Sequence, residues 1–317
     1  MSTKTVTVIG GSGFVGRYIV KRLAKQGARV RVAVRRPSGS EFLKVSGDVG
    51  QIVPFACNVR DPASVRQAVE GADEVVYLPG LLFQSGKQRF RDIHAAGAGR
   101  TAQACADAGI EKMVLVSAIG ANQQHPAQYA QTKAAGEHAV MRALPSATIL
   151  RPSIIFGPED GFFNRFGAMA RTLPFLPLIG GGETKFQPVY VGDVADAALT
   201  ALDSEDARGQ VYELGGSQVY SFKELMLLLL KHIERERILL PVPWSLASLQ
   251  ASILGLLPVP PLTTDQVTLL KYDNVVDPDM PGLEALGVRP TSLEAVLPTY
   301  ITQYRRGGQW APFKEAR

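Results

Sequence analysis

The chain has 317 residues, 46% hydrophobic and 20% charged, an ordinary globular composition with room for one large domain or a domain with a subdomain. Its net charge of +5 comes without any long Lys/Arg cluster, which argues against nucleic acid as a partner. Two cysteines (Cys57, Cys105) and four scattered histidines (His94, His125, His138, His232) argue against a disulfide framework and against a metal site, and they fit a reducing compartment.

Strand and helix signals alternate from the start. TVTVIG, residues 5–10, reads as a short buried β-branched strand. GFVGRYIVKRLAKQG follows at helical spacing, with Gly27 as its stop. Between them stand Gly10, Gly13 and Gly16. The first glycine makes the tight turn, the second lets the backbone approach a pyrophosphate, and the third lets helix pack on strand. A pyrophosphate there sits on a helix N-terminus, where free N–H groups and the dipole favour anions. Three spaced glycines placed between a strand and a helix are a strong dinucleotide signal.

RVRVAVR, residues 29–35, is the second strand. Dinucleotide folds that take NAD end this strand with Asp or Glu, which holds the ribose 2′-hydroxyl. Here it ends in Arg35 and Arg36, and no acid follows until Glu41. Arginine pairs with a 2′-phosphate through charge-assisted bonds, so NADPH is expected over NADH, with Arg17 as a second donor. After the third strand, CNVRD sets Asn58 and Val59 where an adenine ring would lie. ASVRQAVEG reads as a helix and EVVYLPG as a strand, whose end, Leu78, Pro79 and Gly80, stands at the carboxyl edge where such sheets bind ligands. FRDIHAAGAGRTAQACADAG reads as one long small-residue helix, KMVLVSAIG as a strand, and ATILRPS as another. Between these last two lies YAQTK, with Tyr129 and Lys133 four apart on one helix face.

The alternation implies an α/β fold: a Rossmann-type doubly wound parallel sheet with helices on both faces. Past Pro152 the texture shifts to Gly, Pro and Phe. The expected division is a dinucleotide-binding domain over residues 1–155 and a smaller, interleaved C-terminal α/β subdomain over 156–317, with the strand-helix segment 186–202 returning to the first. The first apolar run begins at Thr3, which leaves no room for a presequence, and no run reaches the roughly 18 residues of a membrane span. A bacterial-type cytoplasmic protein is the expectation.

The segment ILLPVPWSLASLQASILGLLPVPPL, residues 238–262, carries no charge. Prolines bracket a helix of about four turns, with a stripe at Leu246, Leu249, Ile253, Leu256 and Leu257. Such a stripe can pack on the subdomain core. The opposite face, however, holds only Ser, Ala and Gln, without the charges of a solvated helix. Charge depletion around a central Trp244 is what interface cores show, so a membrane-surface or protein-docking face is expected, with Lys231, Arg235 and Arg237 meeting anionic headgroups. That places the protein on the inner face of a bacterial plasma membrane.

GGSGFVG, YLPG, Tyr129 with Lys133, RPSIIFGP and VYVGDVADA together resemble the short-chain dehydrogenase/reductase superfamily in its extended and atypical branches. AGIEKMVLVSAIGA, YAQTKAAGE, RPSIIFGPEDGFFNRFGAMA, QPVYVGDVA and MPGLEALGV resemble the reductase-like accessory subunits of respiratory complex I and their bacterial relatives. The resemblance implies NADPH contacts at the glycine turn, including Phe14 and Val15, and at Pro152. It also implies complex I subunits as partners. In active members a tyrosine moves the proton, a lysine lowers its pKa and holds the ribose, and a serine or threonine orients the substrate oxygen. Tyr129 and Lys133 match the first two. The third is incomplete: Ser117 matches the first of the two usual positions, and Ala118 stands at the acting one. His94 stands on the helix that usually carries a bracing asparagine.

The expectation is an NADPH-binding, structural or weakly catalytic accessory subunit of respiratory complex I. The rival is a free NADPH-dependent oxidoreductase or epimerase acting on an apolar quinone- or isoprenoid-like substrate. A redox sensor that reports NADPH occupancy is a third class.

Overall fold

A computed structural model describes residues 4–308. Residues 1–3 of the expected first domain and 309–317 of the expected second lie outside the described residues. β1 (Thr5–Ile9) turns into α1 (Phe14–Lys25), then come β2 (Arg29–Val34), β3 (Ile52–Ala56), α2 (Pro62–Val69) and β4 (Glu74–Tyr77). A π-helical turn (Arg91–Gly97) runs into α3 (Ala98–Asp107), followed by β5 (Lys112–Val116), α4 (Gln128–Ala143) and β6 (Thr148–Pro152). The later part holds β7 (Ile155–Phe156), α5 (Phe163–Thr172), β8 (Phe175–Ile179), β9 (Lys185–Phe186), β10 (Val189–Tyr190), α6 (Val191–Asp203), β11 (Val211–Leu214) and β12 (Tyr220–Ser221). It ends with α7 (Phe222–His232), β13 (Ile238–Val242), α8 (Trp244–Leu254), α9 (Thr264–Leu269) and α10 (Leu293–Ile301).

Seven strands form one parallel sheet in the order β11-β6-β5-β4-β1-β2-β3. The strands alternate between two buried faces, which is why they read as near-continuous apolar runs. Val6 and Val8 of β1, Val76 of β4 and Val114 of β5 pack with α1 and α6. Ile9, Val75, Tyr77, Met113 and Leu115 pack with α2, α3 and α4 on the other side. A third core holds the C-terminal elements, with Phe156, Phe163, Leu176, Phe222, Leu229 and Leu297 among its buried members.

Three elements differ from their sequence reading. The expected long helix 90–109 opens with the π turn, because the buried Tyr77 hydroxyl donates to the Ile93 carbonyl at 2.6 Å and draws it out of the regular ladder. β11 joins the main sheet beside β6 and was not picked out, because four residues with a Glu in their midst carry too little period. α8 is 11 residues long, shorter than the four turns expected. No described helix is long and apolar enough to cross a membrane.

Candidate functional site

The carboxyl ends of the sheet strands open onto a single cavity of about 1410 Å³. The glycine turn forms its floor. Gly10 sits at φ +81°, in the left-handed region, and a Cβ on Gly16 would stand 2.6 Å from the Gly10 carbonyl oxygen. No side chain caps α1 and no acid lies in its first turn, so its N-terminal amides and dipole face the cavity uncontested. Gly10, Gly13, Phe14, Val15 and Gly16 all line it. So do Arg35, Arg36, Asn58, Val59, Leu78, Pro79, Gly80, Ser117, Tyr129, Lys133 and Pro152.

Arg17 is the exception. Its Nη1 donates to Glu159 Oε1 at 3.1 Å and its guanidinium stacks 5.2 Å from the Phe42 ring, outside the cavity wall. Arg35 and Arg36 are exposed, and among the described residues their side chains make no hydrogen bond or ion pair, so both guanidinium groups are available to an anion. Arg60, which sequence reasoning passed over, also lines the cavity and donates to Asn58 Oδ1 at 3.4 Å and to the Lys87 carbonyl at 3.2 Å. A glycine cradle, an uncapped helix start and two free arginines fit the diphosphate and 2′-phosphate of a dinucleotide.

α4 brings the polar trio together. It can approach the π turn closely because residue 136 is glycine: a Cβ there would stand 2.1 Å from the His94 carbonyl oxygen. Lys133 Nζ donates to the Val116 carbonyl at 3.1 Å and lies beside Gly80. Burial holds Lys133 at about 8, below the ordinary lysine range, although Glu137 pulls it upward. Desolvation pushes the Tyr129 phenol up to about 12. The Ser117 hydroxyl is buried at the end of β5 and has no partner among the described residues, which leaves an orphaned polar group at the cavity wall.

His94 is not a surface residue. It is buried, stacks on Phe90 and meets the Tyr129 ring edge-on at 5.3 Å. Its Nε2 accepts from the Leu81 amide at 2.9 Å, so Nδ1 carries the proton and donates to Thr132 Oγ1 at 3.0 Å. Burial first, then the Lys133 cation, holds it at about 3, so the ring is neutral across the physiological range. It braces the loop after β4 against the Tyr129 helix. Asp265 supplies another unread contact: its carboxylate accepts from the Gln128 and Tyr129 amides at 2.7 and 3.0 Å and caps α4 from the C-terminal part of the chain. The TTDQ sequence at 263–266, a capping box in the structure, was the available signal for that turn. No group of three or more His, Cys, Asp or Glu able to hold a metal stands among the described residues.

Residues 6–215 match the NAD dependent epimerase/dehydratase family. The chain is 36% identical over 314 residues to NADH dehydrogenase [ubiquinone] 1 alpha subcomplex subunit 9, mitochondrial, of Arabidopsis thaliana, a match that covers 95% of this chain and 78% of that protein. It is 32% identical over 203 residues to the ceramide reductase of Caulobacter vibrioides, covering 62% of this chain and 60% of that one. Among solved structures, the Thermus thermophilus UDP-glucose 4-epimerase in complex with NAD has a TM-score of 0.69 at 22% identity, over 95% of this chain and 98% of that chain.

The buried ammonium of Lys133 yields a stability prediction. Its proton leaves near 8 in the native state and at 10.5 in the reference state, so between those values the unfolded chain holds the extra proton and native stability rises with pH. Lys133→Met is expected to raise the denaturation midpoint, by the full margin below about pH 8 and by a margin that shrinks toward 10.5. Urea unfolding of both proteins across that range is the measurement, and a pH-independent margin would contradict the desolvated ammonium.

Proposed function

The chain belongs to the NAD dependent epimerase/dehydratase family, an extended branch of the short-chain dehydrogenases/reductases, and we propose that it is an NADPH-binding accessory subunit of respiratory complex I, docked at a membrane surface. The cofactor of the family is a nicotinamide dinucleotide. The finer choice of NADPH rests on Arg35 and Arg36, unpaired beside a cavity whose β2 end carries no acid. Bound only by the native state, the cofactor stabilises the fold by RT ln(1 + [L]/Kd) whether or not it turns over.

The observation that carries the docking reading is the orientation of α8. Only Ala247 and Ala251 of that helix are buried. Leu246, Leu249, Ile253, Leu256 and Leu257 point outward, at 45%, 60%, 63%, 86% and 50% exposure. Ile238, Leu240 and Phe175 on the paired strands β13 and β8 are exposed as well. Nearby, Arg235 feels the charges of Arg237, Arg306 and Arg171, a positive cluster leading into β13. An apolar face beside clustered arginines suits an anionic interface. Lys231 lies on the last turn of α7 among Tyr220, Glu224 and Leu228.

A second reading, reduction of an apolar carbonyl compound, is favoured by one feature: the partnerless Ser117 hydroxyl beside Tyr129 and Lys133. The likeness to a ceramide reductase supports it. In that reading a bound reduced nicotinamide would be the hydride source, Ser117 would hold the substrate oxygen and Tyr129 would give that oxygen a proton. Oxidation of NADPH by a long-chain ketone, lost in Tyr129→Phe, would favour this reading over the first.

For the cofactor, Arg35→Asp is expected to weaken NADPH by about 1.5–3 kcal/mol per charge-assisted bond removed and to change NADH far less. Calorimetry with both cofactors decides it, and equal losses would sink the 2′-phosphate assignment. For docking, the Leu249→Glu/Leu256→Glu double variant is expected to release the protein from anionic vesicles, with NADPH affinity unchanged and unfolding within about 0.5 kcal/mol of wild type, as for exposed sites. Cosedimentation with vesicles is the assay, and retained binding would remove α8 from the docking face.

A further inference from the structure

We infer that the part of the cavity walled by α5, α7, α8 and α9 is a binding site for a long hydrocarbon chain, the tail of a carbonyl-bearing lipid that enters past α8. The inference rests on the proposed dinucleotide site, which fixes where the carbonyl end would lie. The cavity, about 1410 Å³, exceeds the roughly 300–1,000 Å³ of a pocket for one drug-sized ligand, so it has room for a dinucleotide and a second molecule.

The walls of that second part select against charge. Phe162, Phe166, Phe186 and Phe222 all line it and touch one another at ring distances of 5.3–6.4 Å. Met169 and Ile179 continue the apolar wall. Two charged residues line the same region. Arg165 already donates to the Pro261 carbonyl, and Asp273 accepts from the Lys185 amide at 2.8 Å. A nucleoside diphosphate would meet a single engaged guanidinium among aromatic rings, and its desolvation would go uncompensated. A methylene chain would lie against the rings of Phe162, Phe166 and Phe222 and beside Met169 and Ile179.

Entry follows from α8. Gln250 and Leu254 line the cavity, while Leu249 and Ile253 of the same helix are exposed at 60% and 63%. The helix is therefore a thin wall, with Leu254 beside Gln250 on the cavity side, leucine and isoleucine outside, and a seat on Ala247 and Ala251. A chain partitioned into a bilayer on the outside has a short apolar route to the inside.

The test is a series of methyl ketones, 2-heptanone, 2-nonanone and 2-undecanone, titrated calorimetrically into the NADPH-loaded full chain. Each buried methylene contributes about 0.8 kcal/mol, about fourfold in affinity, so each step of two should gain about 16-fold. Met169→Glu should flatten the series while leaving NADPH affinity intact. Gln250→Glu, at an exposed position on the cavity rim, does the same without risk to the core. A flat series in the wild type, or UDP-glucose binding that displaces the ketones, overturns the inference. Because NADPH binding is read in the same titration, failure of the cofactor proposal shows separately, and the ketone series is then run on the cofactor-free chain with the same criterion.

Discussion

An ammonium group has three donors, and the one on Lys133 finds a single protein acceptor, the Val116 carbonyl, among the described residues. That shortfall organises the site. The group is buried, so water does not freely complete its shell, and its proton is held less tightly than in solution. One turn away the Tyr129 phenol is forced toward neutrality by the same desolvation, and across the gap the Ser117 hydroxyl has nothing to bond. Three polar groups at one cavity wall are left short of partners. Such groups persist where a ligand completes them, since their desolvation is otherwise unrecovered. The uncapped α1 and the free arginines are the same pattern repeated for anions: donors set out with nothing from the protein to receive them.

What the sequence made legible follows from which constraints are local. The parallel sheet, the glycine turn and the Tyr-x-x-x-Lys spacing are each written within a few residues, and the fold carries them as read. The residues that slipped through act across distance. Asp265 caps a helix 136 positions earlier in the chain, and His94 joins the β4 loop to Thr132 on another helix. Arg17 reads as a phosphate donor from its place after Gly16, yet Glu159, far along the chain, has claimed it. A pattern search finds candidate donors and does not see the partners that the fold brings to them. β11 escaped for a different reason, being too short to show a period, although its register with β6 places Glu213 beside Arg151.

The amphipathic logic of α8 ran in an unusual direction. A stripe of leucines on a helix normally marks the face that packs, and small polar residues mark the face that meets solvent. Here the alanines are inside and the leucines outside. The alanines let the helix lie close on Val242 and Val267 in a small core of their own. Large apolar residues left in water cost free energy that the chain alone does not recover.

Protonation sets which hydrogen bonds the site offers. A phenol held near 12 is a hydroxyl at neutral pH, able to give a proton to a carbonyl oxygen and unable to take one from an alcohol without first being ionised. A nearby positive Lys133 would ease that ionisation, but its own burial weakens the charge as pH approaches 8. The neutral His94 adds no positive charge beside the phenol. The groups therefore meet a ligand as a neutral phenol, a neutral imidazole and a buried lysine. The same setting explains how a protein can keep Tyr129 and Lys133 and still act mainly by binding. A protonated tyrosine and a lysine short of partners remain useful hydrogen-bonding groups for a held dinucleotide even when no carbonyl arrives.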